Sequence, residues 1–395
     1  RRYQDWVAVQ RDLDALDDTV LGPQPAADSG KRKPLAFAED GTPIGTAAAA
    51  VERQRRSLGL VPMILVTVVV IGAAAGFVFA ELEDATTARR LEVAPGQLAI
   101  AVEQARETLR LRGGTVSLRL QAGRYAGPWS FGAADQGLRL QAVGTVSVSA
   151  PHERPGLILG EGLRDFRIAG VTFTGATGVA IRSNADEADL LDCRVTDSYV
   201  VLEQRRGRLR IEGLHTAHCG SGLLVKEQSE LDLSKSILAV GEHHLVADHA
   251  TINLRLVRCL VQDRFSSTVI DVDGGVFSAR GLIIEGGGDW TGIALDGIGL
   301  VQLADCRIAG GRFGLRMANS EAGILEGLTV IVDETAFVWS GPKPDTWRWS
   351  RLFLEAAHPV QGLPERLLLE AMTHEGASEE VLQQVPTLAD DQDPS

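Results

Sequence analysis

Aromatic residues, basic charge and cysteine are all scarce in this chain of 395 residues. Phe, Trp and Tyr make up 5% of the sequence, which leaves few side chains for stacking on sugars or nucleobases. Lys and Arg number 39 against 52 Asp and Glu, giving a formal net charge of −13. Because phosphate backbones bind to basic surfaces, this balance argues against nucleic acid as a main partner. The four cysteines are considered below, where their spacing speaks against disulfides.

A repeat of about 22 residues runs through the middle of the chain. Apolar β-type segments begin at residues 171, 193, 215, 237, 259, 282, 306 and 328, and a second such segment follows most of them. Between Leu163 and Trp339 no segment has helical periodicity. The leucine-rich repeat shares this period, but its L-x-x-L-x-L-x-x-N pattern is absent. The repeat therefore predicts an all-β chain folded as a right-handed parallel β-helix, with coils stacked about 4.8 Å apart.

The start of the repeat region has the features of a capped solenoid end. From Gln97 to Leu109 the apolar residues Leu98, Val102, Ala105 and Leu109 share one helix face. The segment GGTVSLRLQAGRYAG follows at 113–127. It resembles the first coils of pectin-lyase-like β-helix proteins, in which an amphipathic helix covers the open end. The resemblance covers roughly residues 95–340 and implies a β-helix over 95–341 after a linker at 81–94. It implies a fold more than an activity, because such folds host lyases, hydrolases, adhesins and binding modules.

A membrane span is predicted between residues 58 and 80, where 23 residues carry no charge. Arg53, Arg55 and Arg56 precede it, and the basic side of a span faces the cytoplasm. The sequence thus predicts a single-pass protein of the bacterial inner membrane, with a cytoplasmic N-terminus and an extracytoplasmic β-helix. Gly72 and Gly76 form a GxxxG pair that favours a homodimer through the span. The alternative is that small residues are simply common in spans.

The first 18 residues have a helical pattern that ends at Asp17 and Asp18. The segment RRYQDW, with Asp12-Leu13 further on, resembles the last helix of bacterial Ser/Thr protein kinases of the eukaryotic-like type. That resemblance implies a receptor kinase whose ATP and Mg²⁺ bind upstream of Arg1. Residues 19–57 are interpreted as a disordered juxtamembrane linker. The Gly-rich loop, catalytic loop and D-F-G motif of kinases are absent here, so no catalytic residue and no cofactor is predicted in this chain.

Acidic residues are the remaining candidates for a ligand site on the β-helix. The N-x-D, D-D, G-H-G and R-x-K patterns of β-helix galacturonases are missing from the repeats. Asp271 and Asp273 lie two residues apart and so share a strand face, and Asp296 follows nearly one coil later. Asp289 and Trp290 lie in an insertion, GGGDW, of the kind that often forms loops on a solenoid's binding face. The alternatives are a solvated acidic face and a tryptophan folded over a glycine turn.

Histidine and cysteine are interpreted as structural residues. Five of the eight histidines lie between His215 and His249, but zinc needs three or four ligands converging on one point, and no metal site is predicted. Cys193, Cys259 and Cys306 are placed in one position of the repeat, two or more coils apart. That separation exceeds the reach of a disulfide, so buried free thiols are expected.

The C-terminal region is predicted to close the solenoid. Residues 347–358 and 363–376 are read as helices on either side of Pro359, within a cap at 342–376. The acidic residues 377–395 are expected to be disordered.

Three functions remain open at this point. The leading hypothesis is the sensor part of a bacterial Ser/Thr receptor kinase, whose β-helix binds a carbohydrate or an envelope protein. The alternatives are a membrane-anchored polysaccharide lyase or hydrolase and a structural scaffold without a ligand.

Overall fold

The computed structural model describes residues 89–262, 267–341, 347–362 and 382–385. Among these residues, no helix combines the length and the apolar character that a membrane crossing requires. The predicted helix at 1–18, the linker at 19–57, the span at 58–80 with Gly72 and Gly76, and the second tail helix at 363–376 lie outside them. For these residues the statements remain sequence-based predictions.

The described chain is built from one α-helix, one short 3-10 helix (Ala133–Asp135) and 24 strands. The first half comprises β1 (Arg89–Val93), α1 (Leu98–Arg112), β2 (Val116–Ala126), β3 (Trp129–Phe131), β4 (Leu138–Ser149), β5 (Leu157–Leu159), β6 (Phe166–Thr174), β7 (Val179–Ser183), β8 (Glu187–Leu191), β9 (Arg194–Thr196), β10 (Val200–Gln204), β11 (Gly207–Glu212) and β12 (His215–Ala217). The second half comprises β13 (Ser221–Val225), β14 (Ser229–Val240), β15 (Leu245–Val261), β16 (Thr268–Arg280), β17 (Ile283–Gly286), β18 (Thr291–Asp296), β19 (Leu300–Ala309), β20 (Phe313–Ala318), β21 (Ala322–Ile331), β22 (Thr335–Ser340), β23 (Trp347–Glu355) and β24 (His358–Gln361).

These strands form a parallel β-solenoid of the right-handed type, with about 11 coils and turns of about 22 residues. Each coil contributes to three longitudinal faces. Face 1 contains β8, β11 and the first half of β14; face 2 contains β9, β12 and the second half of β14; face 3 contains β7, β10 and β13. All pairings between coils are parallel, as in β8 with β11 and β11 with β14. The predicted solenoid is therefore confirmed.

Alternation of apolar and polar residues creates the interior. Along β11, Leu209 and Ile211 are buried while Arg208 and Arg210 lie towards solvent. Their register neighbours in the next coil are Leu231 and Leu233, which are buried in turn. Because successive side chains of a strand point to opposite faces, every coil places its apolar set in the same central column. No coil buries its apolar face alone, which makes the stack the folding unit.

The bend from face 1 to face 2 is made by a single residue in the left-handed conformation. Nine register neighbours share this positive φ: Gly170, Asp192, Gly213, Lys235, Leu256, Gly281, Asp305, Gly327 and Arg351. We call them the bend column. Asp192 and Asp305, which recur in DCR tripeptides, belong to it. Glycine and aspartate suit this conformation, whereas lysine, leucine and arginine are strained in it.

Replacing Lys235 by glycine is expected to stabilise the protein by about 1 kcal/mol, because its φ is +47° and glycine removes the steric cost of that conformation. The ion pair of Lys235 with Glu212 is exposed and contributes little. The measurement is the free energy of unfolding in denaturant. The matched change, Gly213→Ala, should destabilise, since an added Cβ would lie 2.4 Å from Asp192 Oδ1. Equal effects of the two changes would contradict the assignment of the bend column.

Helix α1 closes the N-terminal end of the core, as predicted. Val102 and Ala105 are buried, and Leu98 and Leu109 pack against the same core cluster. Arg106 fixes the helix to the first coils, since its Nε and Nη2 donate to Asp135 Oδ1 and Oδ2 at 2.7 and 2.9 Å. The solenoid begins earlier than predicted, however. β1 pairs with β2 through residues that the sequence reading assigned to the linker at 81–94.

The C-terminal prediction is wrong for residues 347–358. They form β23 and the start of β24, and β23 pairs in parallel with β21, where Leu328 opposes Leu352. The alternation in WRWSRLFLE fits another coil, but Trp349, Leu352 and Phe353 also have the i, i+3, i+4 spacing of a helix face. Disorder over 377–395 is likewise wrong in part, because Leu382 and Val385 are buried against Ile283 on the side of the solenoid.

The four cysteines are free and buried, as predicted. Their shared position in the repeat is only partly confirmed. Cys193 and Cys306 occupy the position directly after the bend column, whereas Cys259 lies two residues further along face 2, opposite Leu238.

Candidate functional site

The connections between face 2 and face 3 carry several polar and ionisable side chains. We call this border of the solenoid the loop edge; it comprises residues 150–156, 197–199, 218–220, 241–243, 287–290 and 310–312. The turns of the loop edge have three to seven residues and include the insertions 151–156 and 287–290. Connections of two to six residues also occur at the border between faces 3 and 1, for example 205–206 and 160–165. Loops on a regular scaffold are where binding residues concentrate.

Tyr199 is the most exposed aromatic side chain of the described solenoid, with 57% of its surface accessible. Its ring lies beside Gly220 of the next coil. A Cβ added at Gly220 would lie 3.1 Å from Tyr199 Cδ2 and 2.8 Å from the Tyr199 carbonyl oxygen, so only glycine leaves room for this arrangement. An exposed ring held against a backbone is a preorganised apolar surface with a polar hydroxyl at its tip.

Polar pairs flank Tyr199 on its own and the next coils. His218 Nδ1 donates to Asp197 Oδ1 at 3.2 Å, and Ser221 Oγ donates to Glu242 Oε2 at 2.7 Å. The carboxylate of Asp197 can only accept, which assigns the proton of His218 to Nδ1. Both pairs link neighbouring coils, since one partner of each lies a coil further along. The loop edge therefore offers donors and acceptors around one aromatic surface.

His243 and Ser267 have the residue types of a nucleophile and its base, but not the geometry. His243 Nδ1 donates to the Thr268 carbonyl at 2.8 Å, which leaves Nε2 as the acceptor. Ser267 Oγ lies 3.1 Å from Nε2 and 3.5 Å from Nδ1. An oxygen nearly equidistant from both nitrogens lies over the ring face and not on the lone pair of Nε2. Proton transfer from the serine to this histidine is therefore not prepared by the structure.

Trp290, predicted to contact a ligand, is fully buried, so that prediction is wrong. Its Nε1 donates to the Gly287 carbonyl at 3.1 Å, and its ring occupies the space above Gly311, where an added Cβ would lie 2.5 Å away. The alternative of a tryptophan folded over a glycine turn describes the observed arrangement. Asp289 beside it is exposed at the loop edge.

The predicted acidic strip exists with a different membership. Asp273 and Asp296 are register neighbours and both are exposed, and Asp248 precedes them in the same column. Asp271 lies two residues before Asp273 on the same side of β16, but it is half-buried between Val246 and Ala294 in register. Asp248, Asp273 and Asp296 lie at the border of faces 3 and 1, away from the loop edge.

His249 lies beside the strip and is hydrogen-bonded to one of its members. His249 Nδ1 donates to Asp248 Oδ1 at 2.8 Å, and this hydrogen bond raises the pKa of His249 above its usual 6.5, with further contributions from the charges of Asp248 and Asp273. When protonated, the His249 ring offsets part of the negative charge of the strip. Within the described ranges, no three His, Cys, Asp or Glu side chains are arranged to hold a metal ion.

Burial shifts the pKa values of the thiols and of one histidine in the direction that keeps each group uncharged. Burial raises the pKa of Cys193 to about 12 and that of Cys219 to about 11, which leaves no thiolate for nucleophilic chemistry. His244 is also fully buried, and desolvation lowers its pKa to about 4. Its Nε2 donates to the Leu260 carbonyl at 3.0 Å, so the ring is neutral with its proton on Nε2.

Comparison with known proteins assigns no family, because neither a family model nor a curated protein matches the sequence. Among solved structures, the A-module of a mannuronan C-5 epimerase from Azotobacter vinelandii is 10% identical, with a TM-score of 0.35, 67% of this chain covered and 93% of that chain. A mannuronic acid specific family 6 polysaccharide lyase from human gut microbiota is 11% identical, with a TM-score of 0.38, 75% of this chain covered and 90% of that one. A surface protein and adhesin of Streptococcus pneumoniae is 9% identical, with a TM-score of 0.26, 67% of this chain covered and 100% of that one.

These likenesses are distant, and no functional residue is carried over from them to this chain. The kinase resemblance of residues 1–18 gains no support from the comparisons.

Proposed function

We propose that the β-helix binds an extended, uncharged glycan along its loop edge, as the ligand-binding part of a membrane-anchored protein. The observation that supports this most directly is the exposed ring of Tyr199, fixed beside Gly220 and flanked by the Asp197–His218 pair. A sugar presents apolar C–H faces and a rim of hydroxyls. An aromatic surface with acceptors and donors at its border matches both.

The charges of the loop edge favour an uncharged ligand. His218 is paired with Asp197, and Arg312 is paired with Glu334. The exposed Arg154 also lies at the loop edge, but a polyanionic glycan would need several uncompensated cations, and the chain as a whole carries a formal charge of −13. Neutral glucans, xylans or chitin oligomers need no cations for binding and are not repelled by the negative net charge.

Binding without turnover is the favoured form of this proposal. Glycoside hydrolysis requires two carboxyl groups placed on either side of one bond. The carboxylates of Asp197 and Glu242 are engaged with His218 and Ser221, and His243 is not aligned with Ser267. The alternative, a polysaccharide lyase or hydrolase on the same solenoid, predicts reaction products and is tested together with binding.

The membrane anchor and the receptor layout belong to this proposal as sequence-based expectations. They rest on the uncharged residues 58–80 and on the RRYQDW segment. Reading the coding sequence upstream of Arg1 tests the kinase part: a catalytic lobe that ends in RRYQDW supports it, and an upstream region without kinase motifs refutes it.

The test of glycan binding uses the full chain in detergent and immobilised polymers: glucan, xylan and chitin as neutral probes, alginate and pectate as anionic ones. Tyr199→Ala is expected to weaken binding to the preferred neutral polymer about tenfold or more, equivalent to about 1.4 kcal/mol. The matched control is Ile324→Ala, an exposed apolar residue of face 1, which should bind as the parent protein does.

Two results would overturn the proposal. Unchanged affinity after Tyr199→Ala would remove the loop edge as the binding surface, and preference for alginate or pectate would remove the uncharged ligand. Release of unsaturated or reducing ends during incubation would instead establish the enzymatic alternative.

A further inference from the structure

The outer surface of α1 carries two large apolar side chains that the solenoid does not use. Ile100 and Leu111 are 64% and 65% exposed. They lie eleven residues apart in sequence, which is three helical turns, so they project from the same side of the helix. The side that faces the core contains Val102 and Ala105. Helix α1 is thus apolar on two opposite sides, and only one of them is covered.

The acidic residues between Ile100 and Leu111 are neutralised within the helix. Glu103 pairs with Arg106, and Glu107 accepts from Arg110 Nε and Nη2 at 2.9 and 2.8 Å. The outer surface therefore presents apolar side chains and arginines, without uncompensated carboxylates at its centre. Such a combination is typical of helices that lie at a lipid–water boundary.

Charge distinguishes this end from the remainder of the chain. Residues 89–126, which comprise β1, α1 and β2, contain seven arginines, no lysine, three glutamates and no aspartate. Seven arginines against three glutamates give the segment a formal charge of +4, of which Asp135, paired with Arg106, offsets one, in a chain whose formal net charge is −13. Arginines near an anionic lipid surface contribute attraction that falls off with distance.

The sequence before Arg89 indicates that the partner of this helix surface is a membrane. Only residues 81–88 separate the predicted span at 58–80 from β1. Eight residues reach at most about 29 Å when fully extended. If the chain is anchored as proposed above, β1 and α1 are tethered this close to the bilayer, whereas β21 lies about 48 Å further along the stack at the usual spacing between coils.

We propose that the outer surface of α1, with Ile100 and Leu111, rests on the anionic lipid headgroups of the membrane that anchors the protein. The helix is held rigidly for this role by the Arg106–Asp135 pair, whose carboxylate is buried and also accepts from the Gly132 N–H at 2.9 Å. The contact orients the solenoid with its capped end at the bilayer. The inference depends on the proposed anchoring by residues 58–80.

The test uses the full chain reconstituted in vesicles of phosphatidylethanolamine and phosphatidylglycerol. Ile100→Cys carries an environment-sensitive fluorophore, and lipids with spin-labelled headgroups act as quencher; the four native cysteines are buried and do not compete for label. The control position is Ile324→Cys on β21, which is 38% exposed. Strong quenching at position 100 and none at position 324 is the expected result.

A second measurement separates lipid contact from mere proximity. With the label at Gln104→Cys, the additional changes Ile100→Glu and Leu111→Glu should reduce quenching at least about twofold, since each replaces an inserted apolar side chain by a charge that the boundary disfavours. Ile324→Glu serves as the matched charge control and should leave it unchanged.

The possible outcomes test the anchoring, the contact of α1 and the role of its two apolar side chains separately. A protein that fails to float with the vesicles refutes the anchoring, and this inference with it. A protein that floats but shows no quenching at position 100, or equal quenching at positions 100 and 324, refutes the contact of α1 alone. Quenching at Gln104→Cys that withstands both glutamates refutes the role of Ile100 and Leu111.

Discussion

Replacing Trp290 by alanine is expected to destabilise the β-helix by about 3–5 kcal/mol, the range for loss of a large aromatic side chain from a packed core. Trp290 is the largest fully buried side chain of the described residues. Its removal leaves a cavity beneath the glycine loop and frees the Gly287 carbonyl from its hydrogen bond. The measurement is unfolding of the full chain in guanidinium, followed by intrinsic fluorescence and by circular dichroism.

The control for Trp290→Ala is Tyr199→Ala, which removes an exposed ring and should change stability by less than about 0.5 kcal/mol. Each coil of a solenoid contacts only its neighbours, so the effect of the change should stay local. Hydrogen exchange should therefore show the loss of protection concentrated in β17, β18 and β20. Equal stability of the two variants would contradict the packing role of Trp290.

Acidification from pH 6.5 to pH 4 is expected to remove up to about 3 kcal/mol of stability through His244 alone. Burial lowers the pKa of His244 to about 4 in the folded chain, whereas an exposed histidine has a pKa near 6.5. Between these values the unfolded chain binds a proton that the folded chain excludes. Stability from this group is therefore complete above pH 6.5 and falls as the pH drops towards 4.

The test compares the unfolding free energies of the parent protein and His244→Gln across that pH interval. Glutamine keeps a donor for the Leu260 carbonyl and does not titrate, so the variant should lose much of the acid sensitivity. His249→Gln is the matched control. The pKa of His249 is raised, so its contribution is present below pH 6.5 and is lost as the pH rises through the folded pKa. An unchanged pH dependence after His244→Gln would refute the assignment.

The fold was predictable from the sequence because solenoid coils repeat the same local pattern. The 22-residue period, the alternation along β11 and β14, and the amphipathic residues of α1 each predict what is observed. The prediction failed where one pattern fits two structures. WRWSRLFLE alternates as a strand and also places apolar residues at helical spacing, and only its pairing with β21 decides between them.

The candidate site was less predictable, because the type of a residue does not determine whether its side chain points into the core or out of the coil. Trp290 and Asp289 are neighbours in sequence, but one is buried and the other exposed. The sequence does not single out Tyr199, since nothing in YVVLE distinguishes an outward ring from an inward one. Its significance depends on Gly220 and His218, which lie in the next coil. The aspartate strip was found in part because Asp273 and Asp296 occupy the same place in successive repeats.

The bend column has a consequence for how the chain tolerates changes of length. Its nine members, from Gly170 to Arg351, stay aligned only when the residues between them fill one complete circuit. Deleting one residue within a strand would place the next bend out of line and turn the following side chains to the opposite face. Removing an entire circuit would leave both neighbours in line. The length of this molecule is therefore quantised, and recombination between repeats can shorten or extend it in whole steps without redesigning any contact inside a coil.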